Sequence, residues 1–124
     1  MTPGDLLTAA SELIARADVM TVGVWPRTSA FLARQALEQA IAHLFQARQD
    51  TVGLASCTMR SQLTCLPFYL DEEIAEQVAY TWAALSSACH YHPYELAPTA
   101  AELAGWIGDV GELIAHIAAG PPTS

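Results

Sequence analysis

Apolar residues recur every third or fourth position in four long stretches of this chain, and that spacing constrains its fold more than any other feature. A helix turns about 100° per residue, so the pattern gathers apolar side chains on one face, and such a face stays dry only against another like it. The first stretch carries Leu6, Leu7, Ala10, Leu13, Ile14 and Ala17 behind Thr2, Pro3 and Asp5, which supply an N-cap, a first-turn proline and an acid at the positive helix end. The second has the clearest period, with Ala33, Leu37, Ala40, Ile41, Leu44 and Phe45 opposite Gln35, Glu38, Gln39, Gln46 and Gln49. It is expected to open near Pro26 and run to about Gln49.

Asp50, Thr51 and Gly53 then break the pattern, and Met59, Leu63 and Leu66 predict a shorter helix that Pro67 stops. Asp71 is expected to cap the next helix. Glu72 and Glu73 complement the dipole of its first turn, and Ile74, Val78, Trp82, Leu85 and Cys89 form its stripe. In the final segment Thr99 and Glu102 stand at capping-box spacing ahead of Leu103, Trp106, Ile107, Val110, Leu113, Ile114 and Ile117. Gly120, Pro121 and Pro122 end it, leaving residues 120–124 as a flexible tail. Val19 to Trp25 has the composition of a strand, but Gly23 and Pro26 favour a connector. The expectation is an all-α, antiparallel bundle of four to five helices forming a single domain over residues 1–124.

Charge limits the partners. Thirteen acids face five Arg and no Lys, for a net charge of −8, so the field repels phosphate backbones and anionic membrane surfaces alike. Neither nucleic-acid nor membrane binding is expected. Asp5 and Glu12 fall where a secretory leader would be uncharged, and three Cys fit reduced thiols, so the sequence reads as cytoplasmic. Hydrophobic residues make up 52% of only 124 residues. A body this small has too much surface per volume to hide that fraction by itself, which predicts a homodimer.

Few residues suggest chemistry. Cys89, His90, Tyr91, His92, Pro93, Tyr94 and Glu95 cluster at the predicted end of the fourth helix. Cys89, His90 and His92 are candidate metal ligands, and His90, His92, Tyr94 and Glu95 a candidate ligand-binding set. Two His one residue apart diverge by about 200° on a helix, so they share an ion only where the helix has ended. The same residues equally make a plain helix terminus, with imidazole donating to last-turn carbonyls. Arg34 and Glu38 read as a surface i,i+4 pair, with a buried or interfacial Arg as the other reading, Glu72, Glu73 and Glu76 as a solvated first turn, Cys65 and Cys89 as small core hydrophobes, and Trp25, Trp82 and Trp106 as core or dimer anchors or, for one of them, the lining of a ligand pocket. A nucleophile elbow, a phosphate-binding Gly loop and a Glu-x-x-His di-iron motif are absent. No cofactor and no catalytic residue is assigned.

The segment from Ala30, AFLARQALEQAIAHLF, resembles the Ala-rich, Gln/Glu-flanked helix of HEPN domains, and HYHPYEL followed by TAAELAGWIGDVGELIAHI continues the likeness from Ala30 to Ile117. The resemblance implies a helical bundle, a homodimer and, in active members, metal-independent RNA cleavage by an Arg followed four to six residues later by a His. That motif does not carry over, because Ala83, Ala84, Leu85, Ser86 and Ser87 stand where the Arg should be, and the nearest upstream Arg is Arg60. Without a guanidinium there, nothing from the motif stabilises a phosphorane. The sequence therefore points to a non-catalytic homodimeric interaction or regulatory module. The alternatives are a small-ligand or metal-binding protein using Cys89, His90, His92 and Glu95, and a HEPN-type ribonuclease.

Overall fold

The computed structural model describes residues 1–15, 25–48, 53–90 and 96–119, and five α-helices account for most of them. They are α1 (Pro3–Ala15), α2 (Trp25–Gln46), α3 (Met59–Cys65), α4 (Glu72–Cys89) and α5 (Ala100–Ala119). Short 3-10 turns at Leu54–Ser56 and Leu66–Phe68 flank α3. No strand occurs among the described residues. Residues 19–24 of the expected connector and the 120–124 tail lie outside them, whereas Trp25, expected in the connector, is the first residue of α2.

Local chemistry sets the helix ends. Both long-spaced caps close as reciprocal boxes. Asp5 N–H donates to Thr2 Oγ1 at 3.1 Å while Thr2 N–H donates to Asp5 Oδ2 at 2.9 Å. Glu102 N–H and Thr99 Oγ1, then Thr99 N–H and Glu102 Oε1, pair in the same way at 3.1 Å each. Each box satisfies two backbone donors that the first turn leaves without intrahelical acceptors. The Thr2 backbone N–H, and after it the Thr2 side chain, hold the Asp5 carboxyl below its ordinary pKa by hydrogen bonding to it. Thr58 caps α3 by accepting Ser61 N–H at 3.2 Å, a cap the periodicity did not reveal. Asp71 occupies the cap position of α4, but its side chain makes no cap hydrogen bond, so the expected Asp cap is positional only. The second helix is shorter than its sequence pattern, ending at Gln46 rather than about Gln49. Pro67 stops α3 as expected, folding into the 3-10 turn behind it.

Helix α2 is the centre of the bundle, packing against α1, α4 and α5. Its core face carries Ala30, Ala33, Ala36 and Ala40 beside Leu37, Ile41, Leu44 and Phe45, all buried. Four small side chains in one face let three neighbouring helices approach its backbone. Ser29 sits fully buried and donates its hydroxyl to Ala10 O at 3.0 Å, tying α2 to α1. From α4 come Ala75, Val78, Leu85 and Ala88, and from α5 Leu103, Ile107, Val110, Leu113 and Ile117. Arg34 meets Ser86 and Glu38 meets Trp82, so α4 runs antiparallel to α2. Helices α2 and α4 are thus antiparallel, and one apolar core joins them to α1 and α5.

The lower edge of the core is finished by aromatic packing. Tyr69 meets Phe45 edge to face, with ring centres 5.7 Å apart and planes at 83°, and the Arg48 guanidinium lies 4.7 Å from the Tyr69 ring centre. Gln62, also buried, donates its amide to the carbonyls of Ala55 and Cys57 at 3.2 and 2.8 Å, which anchors the first 3-10 turn to α3. Gly53 opens that turn with φ of 87°, a left-handed conformation that favours glycine.

Candidate functional site

At the end of α4, the residues singled out from the sequence separate. Cys89 is the last residue of the helix and packs, half-buried, against the core. His90 follows as the C-cap, exposed, with its backbone N–H donating to Ser87 O at 3.2 Å. One residue of helix turns the chain by about 100°, enough to send a thiol toward α2 and an imidazole toward water. His92, Tyr94 and Glu95 lie outside the described residues, as do Tyr91 and Pro93. Among the described residues no three His, Cys, Asp or Glu side chains gather where they could hold a metal ion.

The thiol of Cys89 faces a polar cluster that the sequence did not disclose. On α2, Arg34 and Glu38 stand one turn apart. On α4, Trp82, Ser86 and Cys89 follow at spacings of four and three, so both sets line the seam between the helices. The indole N–H of Trp82 donates to Glu38 Oε1 at 2.9 Å. Arg34 Nε lies 3.6 Å from the same oxygen, and Arg34 Nη1 reaches Ser86 Oγ at 3.5 Å. With side chains only 19% and 31% exposed, Arg34 and Glu38 are not the solvated surface pair expected from their spacing. They are an interhelical bridge. The structure favours the interfacial reading of Arg34 over the surface pair, which i,i+4 spacing could not decide because it says nothing about what a second helix presents, here an indole donor and a hydroxyl.

The electrostatics of the bridge argue against nucleophilic chemistry. Burial pushes the Cys89 thiol above its ordinary pKa, with Arg34 pulling it down and Glu38 pushing it up. A thiol so placed stays protonated near neutral pH and is a poor nucleophile. Arg34 is drawn toward Glu38 and Ser86, with its guanidinium carbon 5.7 Å from the Phe31 ring centre. Its Nε is buried without a hydrogen-bond acceptor inside 3.5 Å, and the nearby carboxylate supplies the compensating charge. The whole arrangement clamps α2 to α4.

Concave surface lies elsewhere. The start of α1 and the C-terminal turns of α2 and α5 enclose a groove of about 480 Å³, within the range of small-molecule pockets. Pro3, Ala40, Leu44, Ile114, Ile117 and Ala118 give it apolar walls, and among the described residues His43 and Arg48 are its polar members. The periodicity placed Leu44 and Ile117 in the core. It could not show that a groove lies beside them.

The outer side of α5 is also unusual. Ala101, Ala104, Gly105, Gly108 and Ala115 are exposed there, among Glu102, Glu112 and His116. A Cβ built on Gly105 or Gly108 would meet no atom of the described residues beyond its own helix backbone within 4 Å, so packing among the described residues does not require either glycine.

No family model matches the chain, and neither the curated proteins nor the solved structures contain a significant match to it.

Proposed function

We propose that this chain is a non-catalytic helical interaction module that works as a homodimer, with α5 as the surface between the two copies. The observation that carries the reading is the outward side of α5. A helix facing water normally carries mostly charged and long polar residues there, whereas this one places Ala101, Ala104, Gly105, Gly108 and Ala115 on its exposed side, with Glu112 and His116 as polar residues among them. Each interior glycine costs a helix roughly 0.5–1 kcal/mol relative to alanine, and no contact among the described residues offsets that cost at positions 105 and 108. Close approach of a second helix backbone does account for it. The surplus of apolar residues in so small a body supports the same arrangement.

The state of the polar groups supports the non-catalytic half of the reading. Arg34 and Glu38 bridge two helices, Cys89 holds its proton, and His90 sits in water at a helix end. The Ala-rich α2 and the order of the helices after it are compatible with a HEPN-like bundle that lacks the catalytic Arg. The thiols of Cys57, Cys65 and Cys89 are all free, which suits a reducing compartment such as the cytoplasm. No described helix is long and apolar enough to cross a membrane.

Mass action gives the test. Because a dimer is stabilised by its own concentration, the melting temperature is expected to climb steadily between micromolar and hundred-micromolar protein. A melting temperature independent of concentration over that range would remove the homodimer.

A further inference from the structure

We infer that the cleft between α2 and α3 is a binding site for a small neutral primary amide, a molecule that presents N–H donors beside a carbonyl. An orphaned acceptor carries the assignment. Gln62 lines this cleft of about 290 Å³, is only 4% exposed, and donates its amide nitrogen's hydrogens to Ala55 O at 3.2 Å and Cys57 O at 2.8 Å. Those two bonds fix which end of the amide is nitrogen, since an amide oxygen has no hydrogen to give a carbonyl. The other end, Oε1, is buried and has no hydrogen-bond partner among the described residues. Leaving a buried acceptor unpaired is costly, and a donor brought in by a ligand removes that cost.

The rest of the lining sets the chemistry of the guest. Gln35, Glu38 and Gln39 stand at i, i+3 and i+4 on α2, so they share one face of the helix, and all three are half-buried at the cleft. A glutamine amide offers donors beside an acceptor, which a second amide matches through two reciprocal hydrogen bonds. The Glu38 carboxylate already accepts from the Trp82 indole and lies beside Arg34, so its charge is balanced from within the protein and the site suits a neutral guest better than a cation. Met59 and the small Ala42 and Ala55 give apolar surface for the carbon part of such a molecule. Met59 also stands one turn before Gln62 on α3, and its unbranched side chain re-packs readily, which lets a donor through to the buried oxygen.

The experiment compares two guests of one shape. Benzamide and acetophenone share a flat ring and a carbonyl, and the first carries an amino group where the second has a methyl. Each is titrated into the isotope-labelled full chain while the side-chain amide signals of Gln35, Gln39 and Gln62 are followed by nuclear magnetic resonance. Benzamide is expected to move these signals along saturable curves and to bind at least tenfold more tightly than acetophenone, the scale of one buried acceptor left unpaired. Gln62→Leu removes that acceptor and should narrow the preference for benzamide. Gln39→Met keeps Gln62 and the length of the replaced side chain, and it should weaken benzamide several-fold while leaving acetophenone nearly unchanged, which keeps the test valid if Gln62→Leu fails to fold. Equal affinity for the two guests, or no saturable shift with benzamide, overturns the assignment. So does a preference that neither variant reduces. The readings are relative affinities at one cleft of one chain, so none of these outcomes depends on the homodimer.

Discussion

Trp82 on α4 donates its indole N–H to the carboxylate of Glu38 on α2 across 2.9 Å, and the same oxygen is approached by Arg34. This contact turns a helix-surface ion pair into a joint between the two helices. Replacing Trp82 with Phe keeps most of the packing and removes the donor. Because Glu38 is partly solvated, the loss is expected at about 1 kcal/mol, read as a lower denaturant midpoint with unchanged slope. Glu38→Ala should cost more than Glu38→Gln, since glutamine retains an acceptor for the indole.

Thr81 makes the opposite case. It is only 1% exposed, and its hydroxyl has no hydrogen-bond partner, so an orphaned polar group sits between Val78 and Leu85 on the buried face of α4. Thr81→Val replaces the hydroxyl by a methyl of similar size and is expected to stabilise the protein by about 1 kcal/mol. A clear destabilisation in chemical denaturation would show that the hydroxyl is satisfied after all.

The cap of α1 predicts a pH dependence. Hydrogen bonds from Thr2 hold the Asp5 carboxyl below its ordinary value of 3.8, so the native state favours the ionised form. A lowered native pKa contributes stability above the unfolded value, and that contribution disappears as pH falls through the native one. Thr2→Ala keeps the backbone donor and removes the side-chain bond, so it should move the Asp5 titration, followed by carboxyl chemical shift, part of the way back toward 3.8. An unchanged midpoint would mean that the Thr2 hydroxyl does not act on the carboxyl.

Cys89 should react slowly. Its pKa is raised by burial, and Arg34 works against that shift, so alkylation at neutral pH should lag behind that of exposed Cys57. Arg34→Met should slow Cys89 further by removing the nearby cation. Mass spectrometry of partially alkylated protein resolves the two sites.

How much of this was legible beforehand divides along physical lines. Apolar period and capping chemistry are local, so the five helices, the Thr99–Glu102 box and the stop at Pro67 could be read from neighbours within a few positions. The Arg34–Glu38–Trp82–Ser86 joint could not. Its halves lie 44 to 52 positions apart, and only the register of α2 against α4 brings them together. Asp71 illustrates a smaller gap, because residue type gives the cap position while the side-chain rotamer decides whether a bond forms. Cys89 and His90 look like one site as neighbours in sequence, but the helical turn points one inward and the other outward. The groove escaped detection because it is a property of where three helix ends stop, not of any residue lining it.

Gly105 and Gly108 separate folding from assembly. Since a Cβ at either position meets nothing among the described residues within 4 Å beyond its own helix backbone, Gly105→Ala and Gly108→Ala should each stabilise the isolated chain by roughly 0.5–1 kcal/mol. A partner helix lying close against that side would be pushed away by the same change, so stability at high dilution should rise while association weakens.

Sedimentation equilibrium at tens of micromolar, run on the unaltered chain and on Gly108→Gln, tests the homodimer most directly. The unaltered chain is expected at twice its 13.3 kDa mass and the variant, still fully helical, near the single-chain value. A monomer in both cases would contradict the homodimer, and a dimer in both would contradict its placement on α5.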